Sequence, residues 1–311
     1  MFARHHLRFG GGLRNRRGNL AASITIACLL AVLFCSAAEA ANDEPAEEPV
    51  NPQPNAAMLA AGFRQLYELD FQGARLQFLA YQRLQSQDPV GKAAEAASYL
   101  YEEFNAKGVF TSAFFLNNER LLGGVQGSAS ENRNDEFLST NHAAREMAQQ
   151  QLKSDPRNPR ALLALTLADG MESDYDALII KKQLAGLGLM RQAESEANKL
   201  LEIDPTAQDA YVALGASNYV IGCMPNYKRA FLWFGGIHGD RQRGMQQMQV
   251  AAEHGRYLAP FAKILLALAC EREHELDHAR QLLTELAAEF PANPLFAREL
   301  GLLQRGVAGG E

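Results

Sequence analysis

The feature of this sequence that most restricts its fold is a residue spacing that occurs three times and ends each time at a proline. A small residue is followed by further residues four and seven positions on, and the proline stands five positions after the last of them. The spacing runs from Ala144 to Pro156, from Ala193 to Pro205 and from Ala279 to Pro291. Residues four and seven apart lie on one face of an α-helix, and proline does not continue a helix. The spacing therefore predicts short helices that pack closely through a small residue and end at the same point of a repeating unit.

A partner helix is visible at the start of these units. The residues that indicate it are Tyr211, Leu214, Gly215 and Asn218 after Pro205, and Leu162 and Leu165 after Pro156. The last unit is uninterrupted from residue 260 to residue 291. These units resemble the tetratricopeptide repeat, a helical hairpin of about 34 residues that stacks in series. The resemblance covers about residues 56 to 304 and implies an all-α fold, namely a right-handed TPR-like α-solenoid of about five helical hairpins plus a capping helix.

The repeat frame also assigns the individual helices. The expected hairpins are 58–89, 90–106 with 136–154, 159–171 with about 180–202, 208–222 with 240–255, and 260–290, followed by a single helix at 293–304. Five hairpins exceed the minimum of about three that such stacks need for a continuous core.

The first 40 residues differ from the rest. Five arginines precede an apolar stretch at 20–38, which ends in the small-x-small sequence Ala38-Glu39-Ala40. This pattern predicts a signal peptide over 1–40 and a periplasmic or secreted mature chain. The alternative is an uncleaved inner-membrane anchor at 20–38, the only case in which membrane contact is expected. Residues 41–55, rich in proline and acidic residues, predict a disordered linker, residues 56–305 the helical domain, and residues 306–311 a flexible tail.

Charge and cysteine content narrow the choice of partners. The whole chain carries 36 acidic and 30 basic residues, a formal net charge of −6, and loss of the basic leader makes it more negative. Duplex nucleic acid is therefore not an expected partner. Export would leave Cys223 and Cys270, too few for a disulfide framework. Whether they pair is left open, and Cys270, in the apolar run "ILLALAC", is interpreted as a small buried residue.

The segment 274–278 reads His-Glu-Leu-Asp-His, the HExxH sequence of zinc proteases. That motif binds zinc only when both histidines lie one turn apart on a continuous helix. In the repeat frame, His274 and Glu275 fall in the turn between the two helices of the last unit, so the two histidines should not share a helical face. No catalytic residue, metal site or cofactor is predicted.

Three units exceed the usual length, and the extra residues lie between their two helices, at about 107–135, 172–179 and 223–239. Connections of one type project along one rim of a solenoid, so these insertions are expected to meet. The first and third are too apolar for plain loops, since they contain "FTSAFF" and "AFLWF". They either pack as a satellite core or cover a groove for a ligand or peptide. The acidic segment 169–176 is interpreted as a solvated connection.

The resemblance implies that the first helix of each hairpin faces a concave groove. The residues placed there are Tyr99 or Tyr101, Asp209, Val212, Ala216 and Tyr219. Candidates from and beside the third insertion are Phe231, Trp233, His238 and Arg241, with Asp240 as the cap of the following helix.

Three functions are compatible with these patterns. The first is an exported, non-catalytic scaffold that binds a protein or peptide at the cell envelope. The second is a solute-binding accessory protein of a transporter, with a small-molecule ligand. The third is a zinc hydrolase using the HELDH segment. An enclosed apolar pocket under the insertions would favour the second over the first.

Overall fold

The computed structural model describes residues 54–127, 130–234 and 236–308, and every regular element in this part of the chain is a helix. The helices are α1 (Pro54–Tyr67), α2 (Phe71–Leu84), α3 (Pro89–Ala106), α4 (Ser112–Phe115), α5 (Asn118–Gly123), α6 (Glu131–Ser154), α7 (Pro159–Tyr175), α8 (Gln183–Ile203), α9 (Tyr211–Cys223), α10 (Asn226–Phe234), α11 (Arg241–His254), α12 (Ala259–Arg272), α13 (Leu276–Glu289) and α14 (Pro294–Ala308). The expected signal peptide and most of the linker lie outside the described residues. Helix α1 begins at Pro54, inside the segment assigned to the linker.

The helices pack as antiparallel neighbours in the predicted order. The hairpins are α1 with α2, α3 with α6, α7 with α8, α9 with α11, and α12 with α13, and α14 packs on α13. The prediction of an all-α stack of five hairpins and a capping helix is confirmed. None of the described helices combines the length and apolar character needed to span a bilayer.

Local sequence explains where the helices begin. Asp88 and Asn158 precede Pro89 and Pro159, and their side chains accept hydrogen bonds from backbone N–H groups of the first turn. Proline suits this position because its missing N–H would have no partner inside the helix. These caps fix the start of the second and third hairpins.

The small residues of the repeated spacing are buried. Ala144, Ala193 and Ala279 are each at most 2% exposed. A methyl group at these positions lets the partner helix approach closely, and a larger side chain would push the two helices apart. The small residues of the spacing that predicts the fold are thus part of its core.

The insertions take three different courses. The first forms α4 and α5, and it meets the second where the Val125 N–H donates to the Leu178 carbonyl (2.8 Å). The second continues α7 through a π-helical turn, Asp176–Ile180, and ends at Lys181 in the left-handed conformation (φ 63°). The interpretation of 169–176 as a solvated connection is wrong, because most of it belongs to α7. The third insertion forms α10.

The first helices of the five hairpins surround a common interior. Helix α3 packs on α1 and α7, and α9 packs on α7 and α12. The ends of the series also touch. The Tyr67 hydroxyl donates to the Tyr257 carbonyl (3.0 Å), and the Asn293 amide donates to the Tyr67 carbonyl (2.8 Å). The first helices, joined across the ends of the series through Tyr257 and Asn293, therefore form a closed ring rather than an open groove.

Candidate ligand-binding site

A cavity of about 210 Å³ lies inside this ring. Each first helix contributes to its wall, and representative residues are Phe63, Tyr101, Gly170, Ala216 and Leu265. Most lining atoms belong to apolar side chains. Concave apolar pockets with a few polar groups are the usual form of small-molecule sites in proteins.

Aromatic rings from the first insertion close one side of the cavity. Phe110 contacts Tyr101 and Phe261, with ring centroids 5.1 and 6.4 Å apart, and Phe115 stacks on Tyr219 at 6.3 Å. These rings connect α3 with α9 and α12 across the interior. We call residues 109–115 the roof segment. Val109 and Phe114 of the roof segment belong to the main core rather than to a satellite core, and the segment also lines the cavity.

Polar contacts hold the roof segment in place. Glu299 of α14 accepts hydrogen bonds from the Ser112 hydroxyl (2.6 Å) and backbone N–H (3.2 Å). The Arg272 guanidinium donates to the Phe115 carbonyl (3.0 Å). Hydrogen bonds to charged groups are stronger than neutral ones, so these contacts fix α4 against α12 and α14.

Most polar side chains at the cavity wall are already hydrogen-bonded within the protein. The Thr166 hydroxyl donates to the Leu162 carbonyl (2.9 Å), and the Ser173 hydroxyl donates to the Gly186 carbonyl (2.8 Å). The Ser217 hydroxyl donates to Glu194. These groups complete the helix packing and leave little polarity for a ligand.

Asp174 is different. It lines the cavity, and the residue as a whole is half-buried. Among the residues that the structure describes, none donates a hydrogen bond to this carboxyl or forms an ion pair with it. Burial raises the pKa of Asp174 to about 7, because an apolar environment disfavours the charged form. Near neutral pH the cavity therefore contains a carboxyl that is close to half ionised.

Tyr101 supplies a second polar group. Its hydroxyl also has no hydrogen-bond partner within the described residues. The pKa of Tyr101 is well above its ordinary value because of burial, with smaller contributions from Tyr67 and Asp174. The hydroxyl thus stays protonated and can donate or accept a hydrogen bond. It is close enough to the Asp174 carboxyl for the two groups to interact electrostatically.

Five of the residues expected in a groove do line the cavity: Tyr101, Asp209, Val212, Ala216 and Tyr219. Asp209 has a structural role there, since its carboxylate accepts hydrogen bonds from the backbone N–H groups of Tyr257 (3.0 Å) and Leu258 (2.9 Å). Burial raises the pKa of Asp209, and these hydrogen bonds oppose the rise. It fixes the turn before α12 rather than offering a free carboxylate.

Tyr219 is likewise committed to the protein, since its hydroxyl donates to Glu273 (3.1 Å). Glu273 also forms an ion pair with Arg241 (3.0 Å), another expected binding residue. Arg241 therefore anchors the start of α11 to the end of α12. Asp240 caps α11 as expected, because its carboxylate accepts from the Arg243 N–H (2.8 Å).

The remaining candidates do not reach the cavity. Tyr99 lies on another face of α3, where the Arg75 guanidinium stacks 4.7 Å from its ring. Trp233 and His238 meet edge to face at 6.3 Å and line a separate surface pocket beside α10. The side chain of Phe231 lies outside the described part of the structure. The sequence analysis therefore grouped residues that line the cavity with residues that lie on the surface away from it.

Sequence reasoning missed Asp174, although a signal for it was present. Leu167, Gly170 and Asp174 are three and four residues apart, which places them on one face of a continuous helix. All three line the cavity. The repeat frame ends this helix at residue 171. It therefore does not place Asp174 on the helix or on the face that lines the cavity.

The HELDH segment adopts the predicted break. Helix α12 ends at Arg272 and α13 begins at Leu276, with His274 between them in the left-handed conformation (φ 64°). His274 and His278 do not share a helix, so the arrangement of a zinc protease is absent here. Cys270 is fully buried, as expected, and neither Cys270 nor Cys223 forms a disulfide.

No protein-family model matches the chain, and none of the curated proteins matches it. Among solved structures, it is similar to the crystal structure of TTC0263, a thermophilic TPR protein of Thermus thermophilus. The two share 15% sequence identity with a TM-score of 0.42, and the match covers 80% of this chain and 98% of that chain. The hairpin stack itself is established by the helix packing described above.

Proposed function

We propose that this protein binds a small, mainly apolar molecule that carries one amino group, inside the ring of first helices. The observation that carries the proposal is the Asp174 carboxyl, which faces an apolar cavity without a partner among the described residues. A carboxyl in an apolar environment without a partner is costly, and ligand sites are where such groups are commonly found.

The closed ring favours a small ligand over a peptide laid along the concave face. Tyr67 joins the first hairpin to Tyr257 and Asn293, and the roof segment crosses the interior. An extended peptide would have to displace these buried contacts. A small molecule only has to enter the cavity beneath them.

The cavity volume sets the size of the ligand. An engineered cavity of about 150 Å³ in another protein binds benzene. The cavity here, about 210 Å³, therefore accommodates a single ring or a short alkyl chain with one polar head. An ammonium head would pair with ionised Asp174 and hydrogen-bond to the Tyr101 hydroxyl, whereas a carboxylate head would be repelled.

The test compares three six-carbon probes that differ only in the head group. Hexylamine, 1-hexanol and hexanoate are titrated calorimetrically into the full chain at about pH 8.5, where Asp174 is mostly ionised. Hexylamine is expected to bind at least about tenfold more tightly than hexanoate, a difference of about 1.4 kcal/mol. Asp174→Asn should remove this preference and leave hexanol binding unchanged.

The matched control is Asp135→Asn, which neutralises an exposed carboxyl on α6. It should leave all three affinities unchanged. If none of the probes binds, or if hexylamine keeps its preference in Asp174→Asn, the proposal is wrong.

The cellular setting is proposed from the sequence. The leader over 1–40 supports export, and a protein that holds a small ligand at the cell envelope fits the role of a solute-binding accessory of a transporter. Ligand binding requires no catalytic residue, so we propose a non-catalytic protein. A zinc hydrolase is not proposed, since His274 and His278 lie on either side of a helix break.

A protein partner is the second candidate, since stacks of helical hairpins suggest interaction scaffolds. It is favoured by helix α10, where Tyr227 and Trp233 are 72% and 60% exposed. Exposed aromatic residues are enriched at protein interfaces. Crosslinking in intact cells followed by mass spectrometry tests this candidate, and a partner captured by the native chain should be lost in Tyr227→Ala.

A further inference from the structure

Three potential metal ligands meet at the turn between α12 and α13. Cys270 Sγ lies 3.4 Å from His278 Nδ1 and 3.8 Å from a Glu275 carboxylate oxygen, which is itself 3.9 Å from His278 Nδ1. Within the residues that the structure describes, this is a group of three such side chains whose ligand atoms could hold one ion. Two of the three residues come from the HELDH segment, but His274 is not among them.

The backbone of the turn creates this arrangement. The Glu275 N–H donates to the Cys270 carbonyl (2.8 Å), which closes the end of α12 and brings the start of α13 beside Cys270. Glu275 occupies the N-cap position of α13 and stands three residues before His278, so their side chains share one face of the first turn. The ligand atoms are therefore placed by main-chain geometry and not only by flexible side chains.

The spacing of the three atoms fits a tetrahedral zinc ion. With about 2.3 Å from zinc to sulfur and about 2.0 Å to nitrogen and oxygen, ligand atoms in a tetrahedral site lie about 3.3 to 3.6 Å apart. The sulfur–nitrogen distance of 3.4 Å already falls in this range. The carboxylate has to move by less than about 1 Å to meet it, and its side chain is half exposed and free to do so.

We infer that Cys270, Glu275 and His278 form a zinc site with its fourth position open to water. Sulfur, imidazole nitrogen and carboxylate oxygen are the ligands that zinc prefers in proteins. On binding, the Cys270 thiol releases its proton to solvent, and the thiolate and carboxylate together balance the charge of the ion. Cys270 is fully buried whereas His278 is part-exposed, so the ion sits at the protein surface and clamps the turn.

The zinc site does not depend on the ligand proposed for the cavity. It assigns the residues of the HELDH segment roles that differ from those in a zinc protease. Glu275 acts as a ligand, Cys270 replaces the first histidine, and His274 serves only as the turn residue. Cys270 was interpreted from the sequence as a buried apolar residue, and no metal site was expected. Its buried position is confirmed, but its sulfur also faces an imidazole nitrogen.

The test measures zinc binding by the tag-free full chain. The metal-free protein is titrated with zinc chloride in competition with a chromogenic chelator, and cobalt chloride is used in parallel to detect thiolate coordination by absorption spectroscopy. The wild-type protein is expected to bind zinc at this site and to show a thiolate-to-cobalt charge-transfer band. Cys270→Ser and His278→Gln should each weaken zinc binding by more than about a hundredfold, since even indirect partners of metal ligands cost ten- to a hundredfold.

Two matched controls test whether the loss of zinc binding is specific to Cys270 and His278. His274→Gln changes the other histidine of the same five residues, and Cys223→Ser changes the other cysteine outside the leader. Both should bind zinc as the wild-type protein does. Circular dichroism of the metal-free variants confirms that folding is unchanged, and the part-exposed His278 makes His278→Gln the safer of the two ligand variants.

Three results would contradict the assignment of the zinc ligands. Zinc binding that survives in both Cys270→Ser and His278→Gln, or a cobalt spectrum without a thiolate band, overturns the assignment. Equal loss in His274→Gln would assign the metal to the two histidines of HELDH and would also overturn it.

Discussion

Asp174 places an ionisable carboxyl beside an apolar cavity, and this has a cost for stability. Its pKa of about 7 in the folded protein compares with about 3.9 in an unfolded chain. Below about pH 4 the carboxyl is protonated in both states and contributes nothing. Between about pH 4 and 7 the unfolded chain ionises first, so stability falls as the pH rises, and above about pH 7 the whole cost is present.

Asp174→Asn is therefore expected to stabilise the ligand-free protein at alkaline pH. We expect a gain of about 2 kcal/mol at about pH 8 and almost none at about pH 4, with the cost reduced by hydration through the cavity. Urea denaturation at both pH values measures this difference. Asp135→Asn, on the exposed surface of α6, should show no gain at either pH. A variant of Asp174 that is less stable than the wild type at about pH 8 would contradict the environment assigned to this carboxyl.

At the scale of the elements, the short helix α4 contributes Phe114 and Phe115 to the wall of the cavity. It is only four residues long, so its own backbone hydrogen bonds hold it weakly. Its position depends on Phe114 and Phe115, which are buried, and on the contact between Ser112 and Glu299. An element held mainly by side chains can open without unfolding the hairpins around it.

Ser112→Ala should loosen the roof segment. The substitution removes the hydroxyl that donates to Glu299 and leaves the backbone N–H as the remaining donor. We expect a loss of about 1 to 2 kcal/mol in stability and faster dissociation of hexylamine. Stopped-flow measurement of ligand release and urea denaturation test the two effects. Ser139→Ala, at an exposed serine of α6, provides the control and should change neither.

At the scale of the whole helical unit, the contact between the first and last hairpins affects how the stack unfolds. An open stack of repeats unfolds from its ends, because each repeat contacts only its neighbours. Here Tyr67 of α1 hydrogen-bonds to Tyr257, and its ring packs 5.6 Å from that of Phe290. The terminal hairpins therefore stabilise each other.

Hydrogen exchange should reveal this closure. The amides of α1 and α2 are expected to exchange as slowly as those of the central hairpins in the wild-type protein. Tyr67→Ala removes a buried ring, costs about 3 to 5 kcal/mol locally, and should let α1 and α2 exchange first. Tyr227→Ala, at an exposed tyrosine of α10, should leave the exchange pattern unchanged. Early exchange of α1 in the wild-type protein would show that the ring opens readily.

The sequence by itself determined the helices of the five hairpins, their pairing and the break at His274. These features depend on interactions within a few residues, such as the cap at Asn158, the proline that follows it, and the small residues repeated at Ala144, Ala193 and Ala279. Local spacing was enough to separate His274 from His278, because a helix end is a local event.

Only the tertiary structure decided where the insertions go and which side chains meet. Ser112 and Glu299 are 187 positions apart, and Tyr67 and Asn293 are 226 apart, so no local pattern joins them. The ring, the roof segment and the orientation of Asp174 toward the cavity all follow from such distant contacts. Cys270 and His278 lie on two different helices, and their atoms meet because the turn between α12 and α13 brings the start of α13 beside Cys270.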